Sequence, residues 1–404
     1  VSEKVIVQQK RKMKRIAYIG SLGLVGIITT EFGVIGILPQ IAAWYHISIE
    51  KAGGLLSAFA LVIALAGPLM TLWLSAFNRK TVMAVSISMF MITGVVSSLS
   101  PPFWLLLLVR MLPAFLQPVF ISAAIESAVD AVDKKDAHKM MAIVLSGIGI
   151  ATVTTVPLAT WIAGIYDKWQ YSFMVQAIVS MVAFVGMLTA LPSMPVKEKK
   201  SFGAQLRILT KPSFLACSLM VAAMVAAMFT TYSYFADYLG KMNGMSPATI
   251  SVMLLLFGAA GIPGNFLAGR MLSKGIKRAV VFFLLGITLI SVGVYFLPLM
   301  AVPLIITWGF LHTPNFLTGQ AYMIAAAPEA PGFANSISIS FGNLGVTLGT
   351  SISGWVISSF GIHYAPFAML ALGCLALILL LVKEALAARE ERSGMRNNCP
   401  DIAL

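Results

Sequence analysis

Residues 26–42 read GIITTEFGVIGILPQIA, an apolar run broken by a single carboxylate, Glu31. Extended back to residue 16, the run is long enough to cross a bilayer, because about 20 apolar residues in a helix span the ~30 Å hydrocarbon layer. Similar runs recur to the end of the chain. Of its 404 residues, 59% are hydrophobic and 11% are charged, with a mean hydropathy of +0.90. A soluble chain of this length needs more charge to cover its surface. The composition therefore predicts an all-α, polytopic membrane protein.

Hydropathy places twelve spans at roughly 16–41, 52–74, 81–99, 103–123, 140–163, 171–191, 213–236, 249–270, 279–298, 302–323, 335–358 and 365–383. The net charge of +13 follows this layout instead of forming a nucleic-acid footprint. Most Lys and Arg fall on one side; Lys51, Lys168 and Lys241 fall on the other, and Arg110 lies within a span. Basic loops mark the cytoplasmic face, so both termini are expected inside, with anionic lipid head groups as partners. The first span is too long for the apolar core of a cleaved signal and is expected to be retained. Cys217, Cys374 and Cys399 make no metal or disulfide pattern.

The chain repeats itself. HISIEKAGG and SAFNRKTVM after the first span are echoed by GMSPATISV and LSKGIKRAV after the seventh. Ser246 follows Ser48 by 198 residues, and Lys277 follows Arg79 by the same 198. The expected organisation is a basic tail (1–15), a six-helix bundle (16–191), a cytoplasmic linker (192–212), a second six-helix bundle (213–383) and a tail (384–404). Two such repeats are the layout of major facilitator transporters, whose substrate sites lie near the midplane.

The segments TTEFGVIGILPQIA, GPLMTLWLSAFNRKTVM, LLLVRMLPAF, TVPLATWIAGIYDKWQYSF and APEAPGFANSISISFGNLGVTLG resemble blocks of the drug:proton antiporter branch of the major facilitator superfamily. More narrowly, they resemble its arabinose-efflux-like and purine-efflux-like bacterial members, which implies a bacterial plasma (inner) membrane. The resemblance implies efflux, and with it a place among drug-resistance transporters. It also implies a first-helix acid in proton coupling and a fourth-helix Arg tuning it. The chain departs from the branch in the loop after the second helix, where Ser75 and Asn78 replace an Asp and a Gly while Arg79 and Lys80 remain. In the second copy Ser273 replaces the Asp, while Gly269, Lys277 and Arg278 remain. The Gly-Pro-x-x-Gly-Gly block of efflux members keeps Pro157, but Thr155, Val156, Ala159 and Thr160 stand around it.

Of fifteen acidic residues, Glu31 alone sits deep in a span, as Arg110 does among the bases. At ~1.5 Å per residue, Glu31 lies about 22 Å and Arg110 about 20 Å from the inner face. Intramembrane charges usually face a bundle interior and a partner. A carboxylate there exchanges a proton as its surroundings change, or else forms a fixed ion pair that sets helix packing. Thr30 adjoins it. Span ten carries WGFLHTPNFLTGQAY, in which His312, Asn315 and Gln320 share a broad face that reads as a hydrogen-bonding wall for a solute or as helix packing. Gln117 precedes Asn315 by the repeat offset. In FTTYSYFADY, Thr231 and Tyr234 read as cavity residues or as part of an aromatic belt. Gly345 and Gly349 stand at a helix-packing spacing.

No phosphate-binding loop or metal-ligand spacing appears, so no enzyme activity and no cofactor are expected beyond a proton gradient. The expected activity is proton-driven export of a small organic solute (drug-like compound, sugar or nucleobase) by alternating access, with no obligate protein partner. The alternatives are a proton-coupled importer or facilitator, and a non-transporting membrane sensor of the same fold.

Overall fold

The computed structural model describes residues 2–132, 136–195, 208–297, 300–329 and 331–398. The expected linker falls largely outside them. The described chain is helical: α1 (Ser2–Phe32), α2 (Leu38–Trp44), α3 (Ile49–Leu74), α4 (Arg79–Ser98), α5 (Phe103–Ala114), α6 (Gln117–Val129), α7 (Ala137–Val153), α8 (Thr155–Tyr166), α9 (Gln170–Ala190), α10 (Pro212–Tyr232), α11 (Phe235–Asn243), α12 (Pro247–Lys274), α13 (Ile276–Phe296), α14 (Ala301–Ala325), α15 (Pro331–Phe360) and α16 (Ala365–Asn398). Ten described segments are long and apolar enough to cross a membrane. Helices α14 and α15 have comparable length but more polar residues, and they complete the twelve.

Sixteen helices make twelve spans because four spans are interrupted. Local chemistry accounts for three of the breaks. Gly33 and Gly36 with Pro39 separate α1 from α2; Pro113 and Pro118 flank the step from α5 to α6; Pro157 follows the break at Thr154. Each break frees backbone carbonyls, which in a lipid-embedded bundle must find partners inside the protein. Large apolar side chains such as Leu69 and Phe266 are exposed around the perimeter, where lipid replaces water.

The first helix of each half, α1 and α10, runs through the interior. From Met220 to Tyr232 every residue of α10 is buried. Close backbone approach makes this possible. A Cβ at Gly147 would lie 2.2 Å from the Ser21 carbonyl oxygen on α1. At Gly345 and Gly349, a Cβ would lie 2.4 and 2.3 Å from the Ala222 and Ala226 carbonyl oxygens on α10. Gly345 follows Gly147 by the same 198 residues.

Both termini lie at one end of the bundle, here the proximal end. Contacts between halves gather at the distal end, through α3 with α15 and through α7 and α8 with α12. Val34, Ile37, Leu55, Leu56 and Trp169 of the first half share one apolar core with the second half. Toward the proximal end the first half builds a core of its own from Ile27, Phe59, Phe120 and Met187.

The proximal loops are held within each half. Arg79 bonds Asp130 at 2.6 Å and Glu126 at 3.3 Å, Lys80 donates to the Leu188 carbonyl at 3.0 Å, and Asn78 caps α4. In the second half Lys277 bonds Glu384 of α16 at 2.7 Å, and Tyr322 and Lys383 bond the same carboxylate. The basic ends of both repeat loops therefore have acidic partners despite Ser75 and Ser273. Arg278 lies near Gly275, while Gly269 faces open space.

Candidate functional site

Glu31 ends α1 one residue before the break, and it is 5% exposed. Its Oε2 accepts a hydrogen bond from Gln117 Nε2 at 2.7 Å. Gln117 is brought there by the second break, because it opens α6 just after the irregular step at Phe115 and Leu116. Its Oε1 is buried and has no partner.

Arg110 is 2% exposed and does not bond the carboxylate directly. Its Nη2 donates to the Thr30 carbonyl oxygen at 3.1 Å, a group near the α1 C-terminus. A cation suits that position because helix carbonyls point their negative ends at it. The guanidinium lies 5.8 Å from the Phe59 ring centroid and 5.4 Å from that of Phe173, a cation–π arrangement. Nε and Nη1 are buried without partners. The Thr30 hydroxyl itself donates to Gly26 within its own helix. The structure thus brings Glu31, Arg110, Thr30 and Gln117 together, with Gln117 as the direct partner of the acid.

Across the seam, the Phe32 ring lies 5.7 Å from that of Phe229. Phe229 begins an aromatic cluster around His312: Tyr232 at 4.9 Å, Phe257 at 5.1 Å, Phe229 at 5.9 Å and Trp308 at 6.4 Å between centroids. His312 Nδ1 and Trp308 Nε1 are buried without partners. Tyr232 and Phe229 belong to the aromatic run FTTYSYFADY, whereas Trp308 and Phe257 did not emerge from the sequence as site residues; for Trp308 the repeat offset, which carries Arg110 to it, was the available signal.

The remaining sequence candidates lie elsewhere. Asn315 spends both amide hydrogens on the Leu311 and Phe283 carbonyls, tying α14 to α13 beside Pro314. Gln320 bonds Asn335 of α15, and the Thr231 hydroxyl meets the Met369 sulfur at 3.7 Å. Tyr234 sits in the distal seam. Pro157 is buried in α8, and Gly345 and Gly349 pack on α10. Among the described residues no group of three His, Cys, Asp or Glu side chains is placed to hold a metal.

A family model described as Major Facilitator Superfamily matches residues 20–337. The inner membrane transport protein YdhP of Escherichia coli is 30% identical over 366 residues, covering 90% of this chain and 94% of that protein. A probable sugar efflux transporter of Helicobacter pylori is 27% identical over 376 residues, covering 92% and 95%. Among solved structures, a bacterial homologue of the human lysosomal transporter Spinster, inward-facing and unoccupied, aligns with a TM-score of 0.70 at 15% identity, covering 97% of this chain and 99% of that one. A mutant of the nucleoside transporter NupG aligns with a TM-score of 0.70 at 16% identity, covering 94% and 99%.

Proposed function

Because the chain belongs to the major facilitator superfamily, we propose that it exports a small, uncharged, ring-shaped solute of the sugar class from the bacterial cytoplasm in exchange for protons. The observation that carries the coupling is the partner of Glu31. An acid locked to a guanidinium would stay charged, whereas an amide both donates and accepts, and so serves the carboxylate and the carboxylic acid alike. Gln117 has a donor on Glu31 and an unpartnered acceptor in reserve. Arg110 sits one carbonyl away, with its guanidinium on the Thr30 carbonyl and between two rings instead of on the carboxylate.

The solute reading rests on the aromatic cluster and on the relatives. Aromatic faces pack on the C–H faces of sugars, and the open nitrogens of His312 and Trp308 suit hydroxyl groups. A related protein is named as a probable sugar efflux transporter. The basic loops support a cytoplasmic proximal end, and with that orientation the distal seam closes the outside. Alternating access then exchanges this closure for the opposite one. Drug-like compounds and nucleobases remain in the substrate screen.

The test is flux in vesicles under an imposed pH gradient, with labelled sugars as the first panel. Sugar moving against the proton supports the reading, and co-directional movement replaces it with an importer. Glu31→Gln is expected to keep solute exchange and lose its pH drive. Full proton-driven flux in that variant would remove Glu31 from the mechanism.

A further inference from the structure

We propose that Tyr234 is the bolt of the distal, outward-facing gate, and that two glycines, one from each half, form its socket. The inference rests on the alternating-access reading but not on solute identity or proton coupling.

Tyr234 lies at the break between α10 and α11 and is 1% exposed. Its hydroxyl donates to the Thr350 carbonyl of α15 at 3.1 Å. The ring tip enters a space that exists because two side chains are missing. A Cβ at Gly53 of α3 would lie 2.2 Å from the Tyr234 hydroxyl oxygen and 2.8 Å from Cζ. A Cβ at Gly354 of α15 would lie 2.6 Å from the same oxygen and 2.9 Å from Glu50 Cγ of α3. One phenol thus fills a gap bounded by both halves of the molecule.

The neighbouring contacts place this socket in the seam. Thr347 of α15 donates to the Ser57 carbonyl of α3 at 3.1 Å, one turn further in. On the distal side a cleft of about 350 Å³, lined by Ser48, Glu50, Lys51, Gly53, Tyr234 and Thr350, ends on the tyrosine. On the other side of the socket, Ala60 of α3 is buried in the core shared by the two halves. Tyr234 therefore stands between a cleft at the surface and the closed core. It is wedged rather than bonded across the seam, since its one hydrogen bond stays within the second half. Separation of α3 from α15 then breaks contact with Gly53 while the phenol keeps its hydrogen bond to Thr350, which suits a closure that must open in every cycle.

The test uses the full chain in intact cells or right-side-out vesicles, with Cys217, Cys374 and Cys399 changed to serine. Ala60→Cys reports opening through its reaction with a membrane-impermeant maleimide added outside. Ala60 lies ~10 Å below Gly53 along the helix. Gly53→Ala and Gly354→Ala are each expected to speed labelling about tenfold, equivalent to ~1.4 kcal/mol. Gly54→Ala is the matched control, because a Cβ at Gly54 meets nothing within 4 Å; labelling should stay at the native rate. Native-rate labelling in both socket variants overturns the proposal. So does equal acceleration by Gly54→Ala, which would mean that α3 had merely loosened. Since labelling needs neither solute nor pH gradient, failure here leaves the Glu31 experiment standing, and the reverse holds too.

Discussion

Glu31, Arg110 and Gln117 of the first half stand, at the repeat offset of 198 residues, where the second half has Phe229, Trp308 and Asn315. In the first set a carboxylate, a guanidinium and an amide gather at two helix breaks. In the second, two aromatic rings join a cluster around a histidine, and the amide is spent on backbone carbonyls. The frame beneath is shared: Gly147 lies against α1 as Gly345 does against α10. Helix packing depends on the same missing side chains in both halves, so the repeat keeps them. Under the proposed function the centres are free to differ because each would meet a different part of the cargo, a proton on one side and a ring on the other.

The largest expected effect comes from removing the charge that distinguishes the first centre. Arg110→Ala leaves the Thr30 carbonyl unpaired and Glu31 without a nearby cation. Breaking such a buried arrangement costs about 3 kcal/mol or more. We expect a lower melting temperature and no pH-driven flux. Arg110→Lys should recover part of both, because an ammonium keeps the charge but lacks the planar fork that reaches the carbonyl. Full flux in Arg110→Ala would reduce the guanidinium to helix packing and erase the contrast between centres.

The next effect probes the shared frame. Gly349→Ala forces a Cβ against backbone, 2.3 Å from the Ala226 carbonyl oxygen, where no side-chain rotation can make room. Overpacking of this kind costs about 2 kcal/mol. Gly342→Ala, where nothing lies within 4 Å, should leave stability nearly unchanged. Thermal denaturation of the purified protein separates the pair, and equal melting temperatures would show that the close approach of α15 to α10 does not matter.

How far the sequence discloses this arrangement depends on the kind of information involved. Span positions follow from hydropathy, and α3, α9 and α13 begin and end within a few residues of expectation. Glu31 and Arg110 stand out because charge is rare in apolar runs. The partner of Glu31 is less legible: equal depth points to Arg110, whereas the break before Gln117 lies next to the amide that bonds the carboxylate. Periodicity assumes a continuous helix, so it misplaces residues next to a break. Tyr234 shows the same limit, since the interruption after Tyr232 turns a cavity candidate into a seam residue. The role of Gly53 is invisible in one dimension, because it depends on a phenol 181 positions away in the chain.

A smaller effect tests whether the second centre touches solute. His312→Phe keeps a ring inside the aromatic cluster and removes both nitrogens. Stability should hold within about 0.5 kcal/mol, while the KM for whichever solute the flux screen identifies rises about tenfold, equivalent to ~1.4 kcal/mol. An unchanged KM with a lower melting temperature would make His312 a packing residue.

The smallest effect lies at the proximal surface of the second half, where Lys211 at the start of α10 bonds Glu329 between α14 and α15. The hydrogen bond from Lys211 holds the Glu329 carboxyl below its ordinary range. A carboxyl lowered on folding stabilises the protein above its unfolded value of about 4.3, and that contribution fades as pH falls through the lower folded value. Because the Glu329 side chain is 44% exposed, solvent screening limits the contribution to about 0.3 kcal/mol. Glu329→Gln should therefore melt slightly below the native protein at pH 6 in low salt, and the two should converge both in acid and in high salt. A difference as large as that of Gly349→Ala would show that this surface pair anchors α10 to the α14–α15 turn, and that the second half relies on charge at its edge as the first half does at its centre.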